Sequence, residues 1–164
     1  SMPLRTKLES TGDEMGYGRL NLEMQALLIK HTTRKVVWDL GAGDLRHART
    51  LLRLGAASVV AIDKHPMPDM DPRIQRVQSY FRDIHVEDAI PVAFVCWPQN
   101  TRLIGLIEIL SKAEVLIYVG SNLNGDACGN EELFEYLSTR EILAYVHDEA
   151  NSMIVYGKPV DSPR

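Results

Sequence analysis

The stretch VVWDLGAGDLRHA, residues 36 to 48, ends a run of β-forming residues on an acid, Asp39, and follows it at once with Gly41 and Gly43. Glycines there tolerate positive φ and let the backbone approach a ligand with no Cβ in the way. A second acid, Asp63, closes the apolar run SVVAID twenty residues beyond Gly43. From the end of a strand, a carboxylate at that spacing accepts hydrogen bonds from ribose hydroxyls. A third group, Cys96, Trp97, Pro98 and Gln99, follows a later apolar run. Trp97 can stack on a planar ligand or serve as a core tryptophan at a strand end. Gln99 and Asn100 can orient an amine or amide nitrogen through their carbonyls, or cap the helix that follows.

These groups need a scaffold that brings strand ends together, and the chain predicts one. Residues 19 to 31 carry Leu20, Met24, Leu27 and Leu28 at helical spacing, after an arm over 1 to 18. Val36–Leu40 reads as a strand, and Leu45, Ala48, Leu51 and Leu52 as a helix of about ten residues that Gly55 stops. Strands are expected at 58–63, 74–81, 92–96 and 113–120, with helices over about 101–112 and 131–139. The 101–112 helix would set Leu103, Ile104, Ile107 and Leu110 on its apolar side. Runs near 141–147 and 152–157, joined by DEAN, predict a closing hairpin. The three prolines of KHPMPDMDP make the second connection a loop.

Near-continuously apolar strands are buried on both faces, as in parallel sheets covered by helices. Strand–helix alternation therefore predicts a doubly wound α/β fold, mostly parallel, with a C-terminal antiparallel hairpin, in one domain over 1–164. With 45% hydrophobic and 24% charged residues, the composition is that of an ordinary globular protein. The net charge of −4 argues against bulk electrostatic attraction to nucleic acid. Nothing approaches the ~20 apolar residues of a spanning helix, and the first residues hold no apolar signal-peptide core. Ser1 before Met2 reads as a remnant of tag removal. Cys96 and Cys128 belong to no CxxC pair, so free thiols and a cytoplasmic setting are expected. The five histidines show no metal-binding spacing.

Two cofactor classes suit Gly41, Gly43 and Asp63. A dinucleotide calls for G-x-G-x-x-G, whose third glycine lets helix and strand pack closely. Counting from Gly41, that position is Arg46. The pattern instead resembles the S-adenosylmethionine (SAM) site of class I methyltransferases over about residues 34 to 120. That resemblance places Gly41, Ala42 and Gly43 beside the methionine part of the cofactor, with Asp39 near its amino group. It places Asp63 on the ribose, followed by Lys64 where an apolar residue often covers adenine. Asp83 of FRDI would bind the adenine amino group and Ile84 pack on the ring. Cys96 to Gln99 would form the acceptor side, matching the family's Asn/Asp-Pro-Pro-aromatic motif only at Pro98. Leu45 stands where a common G-x-G-x-G form has its third glycine. DLGAGDLR with Pro98-Gln99 also bears a fainter likeness to protein-lysine methyltransferases carrying D-L-G-S-G-D-G-R.

The resemblance implies in-line transfer of a sulfonium methyl to a nucleophile, nitrogen preferred, on a protein or small molecule. The alternative is a methyltransferase-like subunit without turnover, acting as a binding or scaffold module. Because the sheet has few covering helices, three acceptor arrangements stay open: an exposed acceptor on a protein, a small nucleophile, or a site completed by a partner subunit or in a homodimer. Tyr17 can close over the cofactor or belong to a disordered arm. The loop 121–130 lies on the ligand side and either meets the acceptor or leads into the next helix; its Cys128 reads as inert. Arg46, Arg49 and Arg53 share one helix face, solvated or contacting phosphate.

Overall fold

The computed structural model describes residues 18–69, 71–99, 103–121 and 128–161. The N-terminal helix, α1, spans Leu22–Thr32. Asn21 caps it, its side-chain oxygen accepting from the Met24 N–H at 2.9 Å. Strand β1 (Val36–Leu40) follows, then α2 (Arg46–Arg53), β2 (Ser58–Asp63) and β3 (Ile74–Gln78). After β3 comes a single 3-10 turn over Phe81–Asp83, then β4 (Ile90–Cys96), α3 (Leu106–Leu110) and β5 (Ala113–Ser121). The chain closes with α4 (Glu131–Leu137), β6 (Arg140–His147) and β7 (Asn151–Pro159).

All seven strands join one sheet in the order β3-β2-β1-β4-β5-β7-β6. The first five are parallel and β7 runs antiparallel between β5 and β6, so the expected terminal hairpin is inserted into the sheet edge. Helices α1 and α2 cover one face through Met24, Leu28, Ala48 and Leu51, against Val37, Val59, Phe94 and Val155 of the strands. Helices α3 and α4 cover the other through Leu106, Ile109, Leu110, Leu133 and Leu137, against Ile62, Ala93, Leu116 and Tyr156. Alternate residues of the central strands thus serve opposite cores, which is why those strands are nearly continuously apolar. Each fully buried leucine contributes about 2 kcal/mol.

Two expected elements shrink. The strand expected over 74–81 stops at Gln78, and Phe81 enters the 3-10 turn. The helix expected over 101–112 spans only Leu106–Leu110, leaving Leu103 and Ile104 outside it. Gly105 explains the break. Its φ is +88°, and an added Cβ would lie 2.5 Å from the Arg82 backbone. The chain turns there to pack against the 3-10 turn, and Ile104 is left 71% exposed. Among the described residues, no helix of its flanking connections covers β3, and its Gln75 and Arg76 are exposed.

Candidate functional site

The chain runs outward from β1 through β2 to β3 and then returns to β4 on the other side of β1. Ligands in open α/β sheets bind at the carboxyl ends of the strands flanking such a switch point. A cavity of about 540 Å³ lies there, within the range of small-molecule sites. Gly41, Asp63, Lys64, Cys96, Trp97, Pro98 and Gln99 line it, so the structure brings together the expected strand-end groups after β1, β2 and β4.

The glycine turn is built on backbone bonds to β2. The Gly41 and Ala42 N–H groups both donate to the Ile62 carbonyl, at 2.8 and 3.0 Å. The Gly43 N–H donates to Asp63 Oδ2 and the His65 N–H to Asp63 Oδ1, each at 2.8 Å. Asp63 thereby fixes the turn and its own orientation. Gly41 has φ +89°, and the Cβ it lacks would meet nothing within 4 Å. Among the described residues, no atom fills the space this glycine leaves open.

Leu45, where the G-x-G-x-G form has glycine, also adopts a left-handed conformation, φ +68°, at the start of α2. The backbone requirement persists without the glycine, at a cost of about 1–2 kcal/mol. Full burial of the leucine side chain offsets that strain. Arg46 does not intrude between helix and sheet as its size suggested. It is partly exposed and pairs with Asp44 at 3.3 Å, while Leu45 and Ala48 occupy the buried side. Of its neighbours on that face, Arg49 is exposed and Arg53 donates to Gln25 at 3.4 Å.

Asp39 does not line the cavity. It lies buried near the turn, and its Oδ2 has no hydrogen-bond partner. Burial pushes its pKa up to about 7, with Asp63 and then Asp44 adding like-charge repulsion. Three acids therefore concentrate negative charge around the glycine turn. The cationic or titratable side chains of Lys64, His65 and Arg82 also line the cavity.

Asp83 and Ile84 are not brought to the cavity. Asp83 is exposed in the 3-10 turn, and Ile84 packs against the α3–α4 core. The four preceding residues, Ser79 to Arg82, line the wall instead, with the Arg82 guanidinium 4.5 Å from the centre of the Tyr80 ring. Leu103 and Ile104 complete that wall. Reading them as helix interior hid them, and Gly105 was the signal that could have placed them in a loop.

Trp97 is both wall and anchor. It has φ +49°, and its backbone N–H donates to the Val119 carbonyl at 2.8 Å. Its indole N–H donates to Asn151 Oδ1 at 2.6 Å. Cys96 lies 3.8 Å from His47 Nε2. That nitrogen donates to the Gly18 carbonyl at 2.9 Å, so it carries a proton and is not a base for the thiol. Burial, then the Asp39 charge, push the Cys96 thiol well up. Burial also raises Cys128, whose sulfur accepts from the Ser121 N–H at 3.0 Å. Both cysteines are free thiols. Tyr17, Asn100 and residues 122–127 of the 121–130 loop lie outside the described residues.

Solved structures with this architecture include an RNA methyltransferase candidate from Pyrococcus horikoshii. It has a TM-score of 0.61 at 11% identity, covering 94% of this chain and 89% of that one. The 1,6-didemethyltoxoflavin N1-methyltransferase of Burkholderia thailandensis, determined with S-adenosylhomocysteine bound, gives 0.62 at 17% identity over 83% and 76%. The chain has the class I methyltransferase fold. A ribosomal protein L11 methylase from Lactobacillus delbrueckii subsp. bulgaricus shares that fold, with a TM-score of 0.59 at 18% identity over 92% and 82%. No family model matches the sequence, and no curated protein matches it. Among the described residues no helix is long and apolar enough to cross a membrane.

Proposed function

We propose that the chain is a SAM-dependent methyltransferase that binds its cofactor between the glycine turn and Trp97. The observation that carries this reading is the charge of the turn. Asp39 and Asp44 flank the glycine turn where a dinucleotide would set its doubly negative pyrophosphate, and like charges repel there. A sulfonium cofactor with an ammonium group is cationic at its methionine end and suits the same field. The open space beside Gly41 and the unpartnered Asp39 oxygen fit that group. The inserted antiparallel β7 supports the reading too, since the dinucleotide-binding order 3-2-1-4-5-6 lacks it.

In this reading Gly41, Ala42 and Gly43 pass beside the methionine part, and the Asp39 charge favours its ammonium group. Asp63, already held by two backbone donors, offers its remaining lone pairs to the ribose. Adenine lies toward Lys64 and Ser79–Arg82, with Asp83 and Ile84 behind that wall. When bound, the cofactor supplies a methyl group on a good leaving group. Cys96, Trp97, Pro98 and Gln99 then align the acceptor for in-line displacement, and proximity does most of the catalytic work.

A nitrogen acceptor, on a protein or a small molecule, is the acceptor we propose; the toxoflavin enzyme's name gives a ring nitrogen of a small molecule, and the L11 methylase's name gives a protein. A lysine acceptor, with an ordinary pKa near ~10.4, must lose its proton first. The free thiols suit a cytoplasmic setting. A non-catalytic binding module is the second reading, favoured by an acceptor side that keeps only Pro98 of the amino-methylating motif. Transfer of labelled methyl to any acceptor eliminates it.

Thermal unfolding with each ligand tests the cofactor. At a hundred times its Kd, SAM adds about 2.7 kcal/mol and raises Tm by about 5–10 °C, and NAD leaves Tm unchanged. Stabilisation by NAD and not by SAM would overturn the assignment.

A further inference from the structure

The wall that carries Trp97 depends on a residue that nothing in its own stretch of sequence marks out. Asn151 opens β7, opposite Ser121 at the carboxyl end of β5, and is 1% exposed. Its side-chain oxygen accepts two hydrogen bonds, from the Trp97 indole N–H at 2.6 Å and from the Gly18 N–H at 2.9 Å. Its amide nitrogen donates to the Arg19 carbonyl at 3.2 Å. One buried side chain therefore joins the end of β4 to the backbone that leads into α1.

Neighbouring contacts hold the same junction. Asp148 Oδ1 accepts from the backbone N–H groups of Ala150 and Asn151, setting where β7 begins. Its other oxygen accepts from Asn21 at 3.2 Å. His47 donates to the Gly18 carbonyl from the far side. Trp97 sits in the left-handed region, where a bulky residue needs its surroundings to hold it.

We propose that Asn151 is a positioning residue for the acceptor wall. Its carbonyl sets the plane of the Trp97 indole, and its amide locks Gly18–Arg19 against that wall, so the two move as one unit. This rests on the methyltransferase reading for what the wall faces, and on the hydrogen bonds alone for the coupling. Asparagine suits the task because a short side chain must combine an acceptor for two donors with a donor of its own. Aspartate keeps the acceptor and loses the donor. Leucine keeps the shape and loses both.

Trp38 and Trp97 are the two tryptophans of the chain, so Trp38→Phe leaves emission from Trp97 alone. In that background, iodide quenching, emission and amide exchange are compared for the parent, Asn151→Asp and Asn151→Leu, with S-adenosylhomocysteine titrated into each. The leucine variant is expected to red-shift Trp97 and expose it to iodide. The aspartate variant should restore the parent emission while speeding amide exchange over residues 18–21. Unchanged emission and quenching in a folded leucine variant would overturn the proposal. If the leucine variant does not fold, the aspartate variant decides, because loss of the parent Trp97 signal there contradicts the role of the carbonyl. Neither optical readout needs a ligand. Failure of the parent to bind S-adenosylhomocysteine would sink the functional reading and leave this test standing.

Discussion

On one side of the cavity, Gly41, Ala42 and Gly43 are tied to Ile62 and Asp63 by backbone donors, and every participant lies in or beside two adjacent parallel strands. On the other, Trp97 is held by Asn151, 54 residues away, which also holds Gly18, 133 residues away. The first wall is acidic and joins two neighbouring strand ends, 20 residues apart between Gly43 and Asp63. The second is assembled from three distant segments by neutral hydrogen bonds that are buried or part-buried. In the proposed reading the first wall meets the cofactor and the second the acceptor.

The sharpest test of the acidic wall is Asp39→Asn. The folded pKa of Asp39, about 7, lies above the value of 3.8 it would have when unfolded. The folded state therefore binds more protons between those values, and stability falls as pH rises from about 4 to about 7. Asp39→Asn should flatten that slope and gain on the order of a few kcal/mol above pH 7, read by urea unfolding at pH 5 and pH 8. It should weaken SAM binding at the same time. A variant that is less stable at pH 8 would contradict the picture of a buried, strained carboxylate.

Two glycines with nearly the same φ sharpen the contrast between space reserved for protein and space left open. Gly105→Ala puts a Cβ into the Arg82 backbone and should cost about 2–3 kcal/mol in chemical unfolding. Gly41→Ala meets no atom of the described residues, so it should cost only about 1 kcal/mol, from the left-handed backbone alone. Its larger effect should fall on cofactor affinity. Equal stability losses, with affinity untouched at Gly41, would mean that no ligand approaches the turn.

The same contrast explains what the sequence made legible. Strand boundaries at Val36–Leu40 and Ser58–Asp63 were readable because apolar runs end on acids and a glycine turn. The glycine turn and Asp63 follow from strand ends that a parallel sheet must place side by side. The rest of the cavity wall was harder to read. Apolar spacing assigned Leu103 and Ile104 to a helix, but a close approach of Gly105 to Arg82 breaks that helix, and such approaches leave no periodic signal. Asp83 sat at a plausible spacing, yet the 3-10 turn aims it to solvent and brings Tyr80 and Phe81 to the cavity. Asn151 read as part of a turn because its partners are set only when β7 inserts beside β5.

The central claim is that Asp63 organises a site for a cationic, ribose-bearing cofactor. Calorimetric titration of SAM into the parent protein and Asp63→Ala measures it directly. Losing charge-assisted bonds to the ribose together with the anchor of Gly43 should weaken binding about 100-fold or more, with the variant still folded. Equal affinity in the two proteins, or no SAM binding by the folded parent, would contradict the account.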